Sequence, residues 1–419
     1  MPDSYDVVVV GAGHAGVSAV TTLLKEGFEG TIALIDVGDS LPYERPPLSK
    51  GFLVGAEEVD SFLFRTADYW EEAAVDLVLG TRITSVDPVA HRVRTDDDRA
   101  FGYRKLIWAA GGSARMLRVP GAELAGIHTV RTLEGVARLK DDVRGARRAV
   151  VIGGGYIGLE ATAALRALGI EVTVLEALDR LLERVTSPII SDYFLRLHTA
   201  HGANVRFGVA ISGFSEGQAP DRVGGVVLED GEVVPADLVI VGIGLIPEVT
   251  ELLHAGAEVT NGVVVDDRCR TSLPGVYAVG DCANHANPYA EGAQLRLESV
   301  QNAAEQGKLA ALDIIGRSEP YEVVPWFWSN QYDAKMKMAG IMGGYDRLVV
   351  RGDPAAGEFT VVYFKDGRLL ALDCVNRPGD YMQGRALIER RAHLDPELVA
   401  DVSLSLKEVQ ARSGAPASG

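Results

Sequence analysis

Cysteine is scarce in this chain. Cys269, Cys282 and Cys374 are the whole supply, widely spaced, with no CxxC and no metal-ligand pattern. That excludes a thiolate zinc site and predicts three inert, buried thiols. No apolar run reaches the ~18 residues that span a bilayer. The opening Met-Pro-Asp-Ser-Tyr-Asp has neither the basic start nor the apolar stretch of a secretion signal, so the reading is of a soluble, cytoplasmic protein. Positive charge is also short. A formal net charge of −17 argues against nucleic acid, which needs a basic face, and disfavours an anionic membrane surface. Only the closing Ala-Arg-Ser-Gly-Ala-Pro-Ala-Ser-Gly has a disordered composition.

What is present in strength is glycine at fixed spacing. Two fingerprints stand in the chain, Gly11-Ala-Gly13-His-Ala-Gly16 and Gly153-Gly-Gly155-Tyr-Ile-Gly158. Each follows a β-branched run and leads into an Ala/Leu-rich helical stretch, as a βαβ unit requires. About 20 residues further on, each meets a second strand ending in an acid, Asp36 and Glu176. A carboxylate there accepts hydrogen bonds from ribose hydroxyls; the plainer alternative is a polar strand end. Two such sites imply two dinucleotides, one of them a flavin. A disulfide-reducing flavoenzyme would need a cysteine pair beside the flavin, and none is offered.

At 419 residues the chain predicts two or three domains. The fold class is α/β: two Rossmann-like dinucleotide-binding domains plus a C-terminal α+β domain. Residues 1–112 and 245–325 make a discontinuous first domain, 113–244 an inserted second one, and 326–419 the third. Within the first, strands are expected near 76–79, 82–87, 92–95 and 105–112. Residues 41–50, Leu-Pro-Tyr-Glu-Arg-Pro-Pro-Leu-Ser-Lys, read as a rigid loop, because adjacent prolines exclude a helix interior. The second domain predicts a helix over 188–201 and a buried strand over 237–244. The third predicts strands over 359–365 and 369–375 and one final helix.

The chain also resembles a known family, the FAD-dependent, NADH-using ferredoxin reductases of bacterial oxygenase systems. The resemblance spans essentially the full length and rests on GAGHAG, RPPLSKG, GGGYIGLE, GIGLIP, YAVGDCA, ESVQNAAEQ and PWFWSNQYD, in that order. It implies the glutathione reductase fold without the redox disulfide. It further implies that Gly11, Gly13, Ala15 and Gly16 hold the FAD pyrophosphate, Asp36 the adenosine ribose and Ile83 the adenine. Arg45, Lys50, Arg131, Asp281 and Val300 would join the flavin site. Gly153, Gly155, Ile157, Gly158, Glu176, Ile243 and Gly244 would take NADH. The partner implied is a [2Fe–2S] ferredoxin serving a cytochrome P450 or a ring-hydroxylating dioxygenase. Rubredoxin reductase, NADH oxidase and an NADH-sensing flavoprotein are the rivals; the oxidase is disfavoured because 41–50 holds no cysteine.

Hydride transfer to a flavin needs stacking and exclusion of water rather than a nucleophile. It gains from a nearby cation where negative charge develops. Lys50 is the candidate, with Glu160 on the first turn of the second fingerprint helix as its partner; unrelated surface charges are the alternative. Tyr156 reads either as a gate over the nicotinamide pocket or as packing. Glu176 disfavours a 2′-phosphate, with Arg180 and Arg184 the only cations placed to reach across. The cluster Trp326-Phe-Trp328 is either core or, at Trp328, a residue near the flavin and the docking face. Lys308, Lys335, Lys337, Arg377 and Arg385 are the candidate landing site for an acidic ferredoxin, or else scattered solvated charges. With no cysteine dyad to require a dimer, the chain reads as a monomer.

Overall fold

The computed structural model of the protein describes residues 4–317 and 319–413. Residue contacts divide the chain into two compact units. The first runs to Arg45 and resumes over Glu58–Ser113 and Ile246–Pro325; the second holds Pro46–Glu57, Ala114–Leu245 and the chain from Trp326 onwards. Residues 46–57, placed with the first domain on sequence, thus group with the second unit.

In the first unit Ser4–Val10 is the centre of a sheet, with Ile32–Ile35 and then Val75–Val78 on one side. Ala100–Trp108 lies on the other side and runs parallel to it. The valine run is buried on both faces because helices or other strands cover each side. The outer strands Ile83–Asp87 and Arg92–Thr95 pair antiparallel, and Val276–Ala278 returns to join Ala100–Trp108. The helices His14–Lys25 and Val300–Ile314 meet through small residues. A Cβ on Gly307 would overlap the Ala15 carbonyl, and Ser18 Oγ donates to the Ala304 carbonyl at 2.6 Å.

The second unit repeats the design around Arg148–Ile152. Glu171–Leu175 and Asn204–Arg206 lie to one side, Leu238–Val241 and Ile127–His128 to the other, all parallel. The same unit contains an antiparallel sheet in the order Trp326–Gln331, Ala334–Gly340, Arg368–Val375, Glu358–Lys365, Arg347–Asp353. Its inward residues Met336, Phe359, Val361 and Tyr363 share one core with Leu159, Ile190 and Phe194. The helix expected over 188–201 is Pro188–Ala200.

Three sequence expectations are corrected. Pro46–Ser49 forms a 3-10 turn rather than a plain loop, since prolines are tolerated where helical N–H groups go unused. Among the described residues the last stretch holds three helices, Pro378–Glu389, Pro396–Ala400 and Leu406–Ser413, in place of one. The last takes in residues 411–413 of the segment read as disordered; 414–419 lie outside the described residues.

Candidate functional site

The two fingerprints fold into near-identical turns. Gly11 and Gly153 take left-handed φ angles of 104° and 103°, open to glycine and strained for other residues. A Cβ there would overlap the carbonyls of Ala109 and Gly242 respectively. The third glycines pack helix against strand: a Cβ on Gly16 or Gly158 would strike the carbonyl of Gly11 or Gly153. The middle glycines are different. A Cβ on Gly155 meets nothing within 4 Å, and one on Gly13 only the Arg45 side chain at 3.8 Å. Protein packing does not demand glycine at either position; its absence of side chain keeps a space open.

That space lies at a helix start. Gly13 and Gly155 cap His14–Lys25 and Tyr156–Ala167, and neither helix has a side-chain cap. A helix start without a side-chain cap presents backbone N–H groups and the positive dipole end, which is what a pyrophosphate needs, and the missing Cβ at Gly13 and Gly155 lets it approach closely. These residues fit a dinucleotide at each turn.

Asp36 and Glu176 do more than end their strands. Asp36 accepts the Ala12 and Gly38 N–H groups at 2.5 and 2.7 Å; Glu176 accepts those of Gly154 and Leu178 at 2.6 and 2.8 Å. Each acid braces its glycine turn while a carboxylate oxygen keeps a lone pair for a ribose hydroxyl. Arg180 is held by the carbonyls of Thr186 and Glu183 and by Ser191 Oγ, at 2.7 to 2.8 Å.

The remaining cofactor candidates are distributed as follows. Arg45 borders Gly13. Ile83 is buried at the start of its strand, and Asp281 lies in the turn Gly280–Cys282, where Gln306 binds the Gly280 N–H. Val300 opens its helix, capped by Ser299. Arg131 precedes Leu133–Val143 in the second unit. Ile157 is 43% exposed on the first turn of its helix, while Ile243 and Gly244 follow the strand Leu238–Val241.

Lys50 and Glu160 meet. Lys50 Nζ lies 2.5 Å from Glu160 Oε2, with the carboxylate side chain 2% exposed and the lysine 25%. The buried member is thus the acid, and it sits on the second helical turn rather than the first, because the helix begins at Tyr156. Sequence reading missed the rest of its shell. Ser49 donates to Oε2 at 2.6 Å and Ser329 to Oε1 at 2.7 Å, both serines being buried. Two residues beyond Lys50, the Phe52 ring carries the Lys140 ammonium 4.0 Å from its centroid.

The hairpin from Trp326 carries two jobs on its two faces, since side chains alternate along a strand. One face holds Phe327, Ser329, Gln331 and Met338. Tyr156 packs there, its ring 4.9 Å from Phe327 and its hydroxyl 2.8 Å from Met338 Sδ. The other holds Trp326, Trp328 and, opposite them in register, Ala339 and Lys337; Lys335 follows on the same face. Helix Pro378–Glu389 lies over it, with Lys337 5.2 Å from the Tyr381 ring and Arg385 5.7 Å from Trp326. Arg377 pairs with Asp380 at 3.0 Å. Lys308 belongs to the first unit, beside Glu305.

All three cysteines are buried and unpaired, and burial pushes the Cys282 thiol up to about 12. Among the described residues no cluster could hold a metal, and no helix is long and apolar enough to cross a membrane.

Residues 5–307 match the pyridine nucleotide-disulphide oxidoreductase family and 326–410 the reductase C-terminal family. The chain is 48% identical, over 98% of its length and 99% of the relative's, to the ferredoxin reductase subunit of a 5,5′-dehydrodivanillate O-demethylase from Sphingobium sp.. It belongs to the FAD-dependent ferredoxin reductases. Putidaredoxin reductase of Pseudomonas putida is 39% identical over 98% of each chain. The crystal structure of a covalent putidaredoxin reductase–putidaredoxin complex superposes with a TM-score of 0.94 at 39% identity, covering 99% of both chains. This ferredoxin reductase homologue is an oxidoreductase whose two dinucleotides are FAD and NADH.

Proposed function

We propose that the protein carries electrons from NADH through FAD to a [2Fe–2S] ferredoxin that serves a cytochrome P450 or a ring-hydroxylating dioxygenase. The observation that carries the reading is the pair of congruent glycine turns, each with a braced acid, together with the Lys50–Glu160 pair. Bound FAD supplies the chemistry, accepting a hydride and releasing its electrons singly. Gly11, Gly13, Gly16 and Asp36 bind it; Gly153, Gly155, Gly158 and Glu176 bind NADH. Lys50 is the fixed positive charge that offsets the negative charge of reduction, and Glu160 holds it in place. NADH-driven cytochrome c reduction, with and without a [2Fe–2S] ferredoxin, tests the reading. Strong stimulation by ferredoxin supports it; rapid oxygen consumption without ferredoxin marks an oxidase instead.

Selectivity for NADH follows from Glu176 and from the engagement of Arg180 elsewhere. Glu176→Ala with Leu178→Arg should move the NADH/NADPH ratio of kcat/KM towards NADPH by about 100-fold. Glu176→Gln, which keeps an acceptor for the Gly154 N–H, separates loss of the brace from loss of repulsion. A ratio unchanged by the double variant would mean that Glu176 does not face the ribose.

The ferredoxin surface we assign is the face bearing Trp328, Lys335, Lys337 and Arg377, with Arg385 and the 72%-exposed Met382 on the covering helix. Exposed lysines there steer an acidic partner despite the overall charge. Lys335→Glu with Lys337→Glu should raise the ferredoxin KM about tenfold at low salt and flatten its salt dependence. NADH-to-ferricyanide turnover should stay at the wild-type level, because a small acceptor needs no docking surface. Equal loss of both activities would refute the assignment. A monomer in the cytoplasm, where three unpaired thiols stay reduced, completes the reading.

A further inference from the structure

Behind Glu160 runs a buried chain of polar side chains that no step above uses. Gln331 Nε2 lies 3.0 Å from Ser329 Oγ, and His198 Nε2 lies 2.7 Å from Gln331 Oε1. The Tyr332 hydroxyl stands 3.5 Å from His198 Nδ1. Ser329, Gln331 and His198 are all at most 1% exposed. Such a string in a protein interior is costly unless every member is satisfied, so its direction is constrained.

The direction follows from hydrogen-bonding capacity. A carbonyl oxygen only accepts, so His198 must carry its proton on Nε2 to meet Gln331 Oε1. That leaves Gln331 with its NH₂ towards Ser329. Ser329, receiving a proton on its oxygen, spends its own O–H on Glu160 Oε1. Neutral His198 then has a bare Nδ1, which suits the Tyr332 O–H. Burial, with His201 close by, lowers the His198 pKa to about 4, so the neutral ring is the ordinary state. Every donor in the series points towards the carboxylate. Flipping the Gln331 amide would present its carbonyl to Ser329 and draw the serine O–H away from Glu160.

The outer end is built at a cost. Tyr332, in the hairpin turn, has φ of 53°, a left-handed conformation that a bulky residue seldom adopts. Its ring stacks on His201 at 3.7 Å and 12°, which holds the hydroxyl over His198.

We propose that His198, Gln331 and Ser329 are positioning residues, a one-way relay that holds the Glu160 carboxylate in one orientation, and so aims the Lys50 ammonium. The proposal rests on the assignment of Lys50 to the flavin. Glu160 would otherwise be anchored at Oε2 alone, by Ser49 and Lys50, and free to swing about that oxygen.

The test follows flavin bleaching by NADH in the FAD-loaded enzyme by stopped flow. Ser329→Ala and His198→Leu should each slow it about tenfold, the effect of one lost hydrogen bond to a charged group, with NADH affinity within about twofold of wild type. His198→Gln, which restores an N–H donor to Gln331, should recover most of the rate; a merely structural histidine would give no such rescue. Bleaching at the wild-type rate in both Ser329→Ala and His198→Leu overturns the relay. If Lys50→Met also bleaches normally, the flavin assignment falls with it; if Lys50→Met is slow, the relay alone fails. Nitrogen-15 NMR of the wild-type enzyme gives a readout free of turnover and of folding defects. It should show His198 as the neutral Nε2–H tautomer between about pH 5 and 8, and an Nδ1–H tautomer would overturn the proposal.

Discussion

In stopped-flow mixing with NADH, Lys50→Met is expected to slow bleaching of the bound flavin by about 100-fold, the usual scale for removing one preorganised electrostatic group. Flavin content should not change, because the Gly11–Gly16 turn and its Asp36 brace do not involve Lys50. The single variant has a second consequence. It leaves a carboxylate that is 2% exposed with two serine donors and no counter-charge, a costly state for a buried ion. Glu160→Gln removes that charge, its one carbonyl accepting from either Ser49 or Ser329 and not from both, so the two variants and their combination form a cycle. If the pair acts as one device, the double variant is no slower than Lys50→Met alone, since effects within a unit do not add. Rates that multiply would show that Lys50 and Glu160 act separately. A Lys50→Met enzyme bleached at the wild-type rate would remove the lysine from the chemistry.

The parts of this site that were legible in sequence are those set by the backbone. Gly11 and Gly153 need a left-handed φ, Gly16 and Gly158 need contact without a Cβ, and such demands leave glycine at fixed spacing. Lys50 was legible because a stiff Pro-Pro segment carries it, and Glu160 because it follows a fingerprint. The shell around them was not. Ser49 and Ser329 lie in quoted motifs, yet nothing local says that both turn to the same carboxylate. His198 sits among Phe194, Leu195 and Leu197 on an amphipathic helix and reads as a core histidine. Its partner Gln331 is 133 residues away, a contact that only the shared core of the second unit creates. The same core hides the grouping of units. An alternating strand such as Ala334–Gly340 says that one face is buried, and not against what. Asp36 and Glu176 were read for their ribose role alone, because a side chain bracing a turn 24 or 22 residues upstream leaves no pattern of its own.

Arg351→Met should cost about 3–5 kcal/mol, the range for breaking a buried ion pair from one side. Arg351 is 2% exposed on the strand Arg347–Asp353 and uses its whole fork. Nε lies 3.1 Å from both Asp380 oxygens, Nη1 donates to the carbonyls of Val399 and Asp401, and Nη2 to that of Leu404. One side chain therefore ties the antiparallel sheet to the helix Pro378–Glu389 and to the turn after Pro396–Ala400. Lysine cannot replace it, as a single ammonium lacks the planar fork. Methionine would take a donor from three carbonyls, of which that of Asp401 keeps the Leu404 N–H, and would leave Asp380 with Arg377 and Thr360. Unfolding of a two-unit chain is not one transition, so the measurement is amide hydrogen exchange. Protection should fall across 396–413, with the sheet strands losing less. The loss reaches function through Pro378–Glu389, which lies over Trp326 and Lys337. Ferredoxin KM should rise while NADH-to-ferricyanide turnover holds, because the partners of the fork, Asp380, Val399, Asp401 and Leu404, include no residue of the glycine turns or of the Lys50 pair. Unchanged protection in 396–413 would mean that the C-terminal helices are held by their apolar faces alone, through residues such as Val399, Leu406 and Val409.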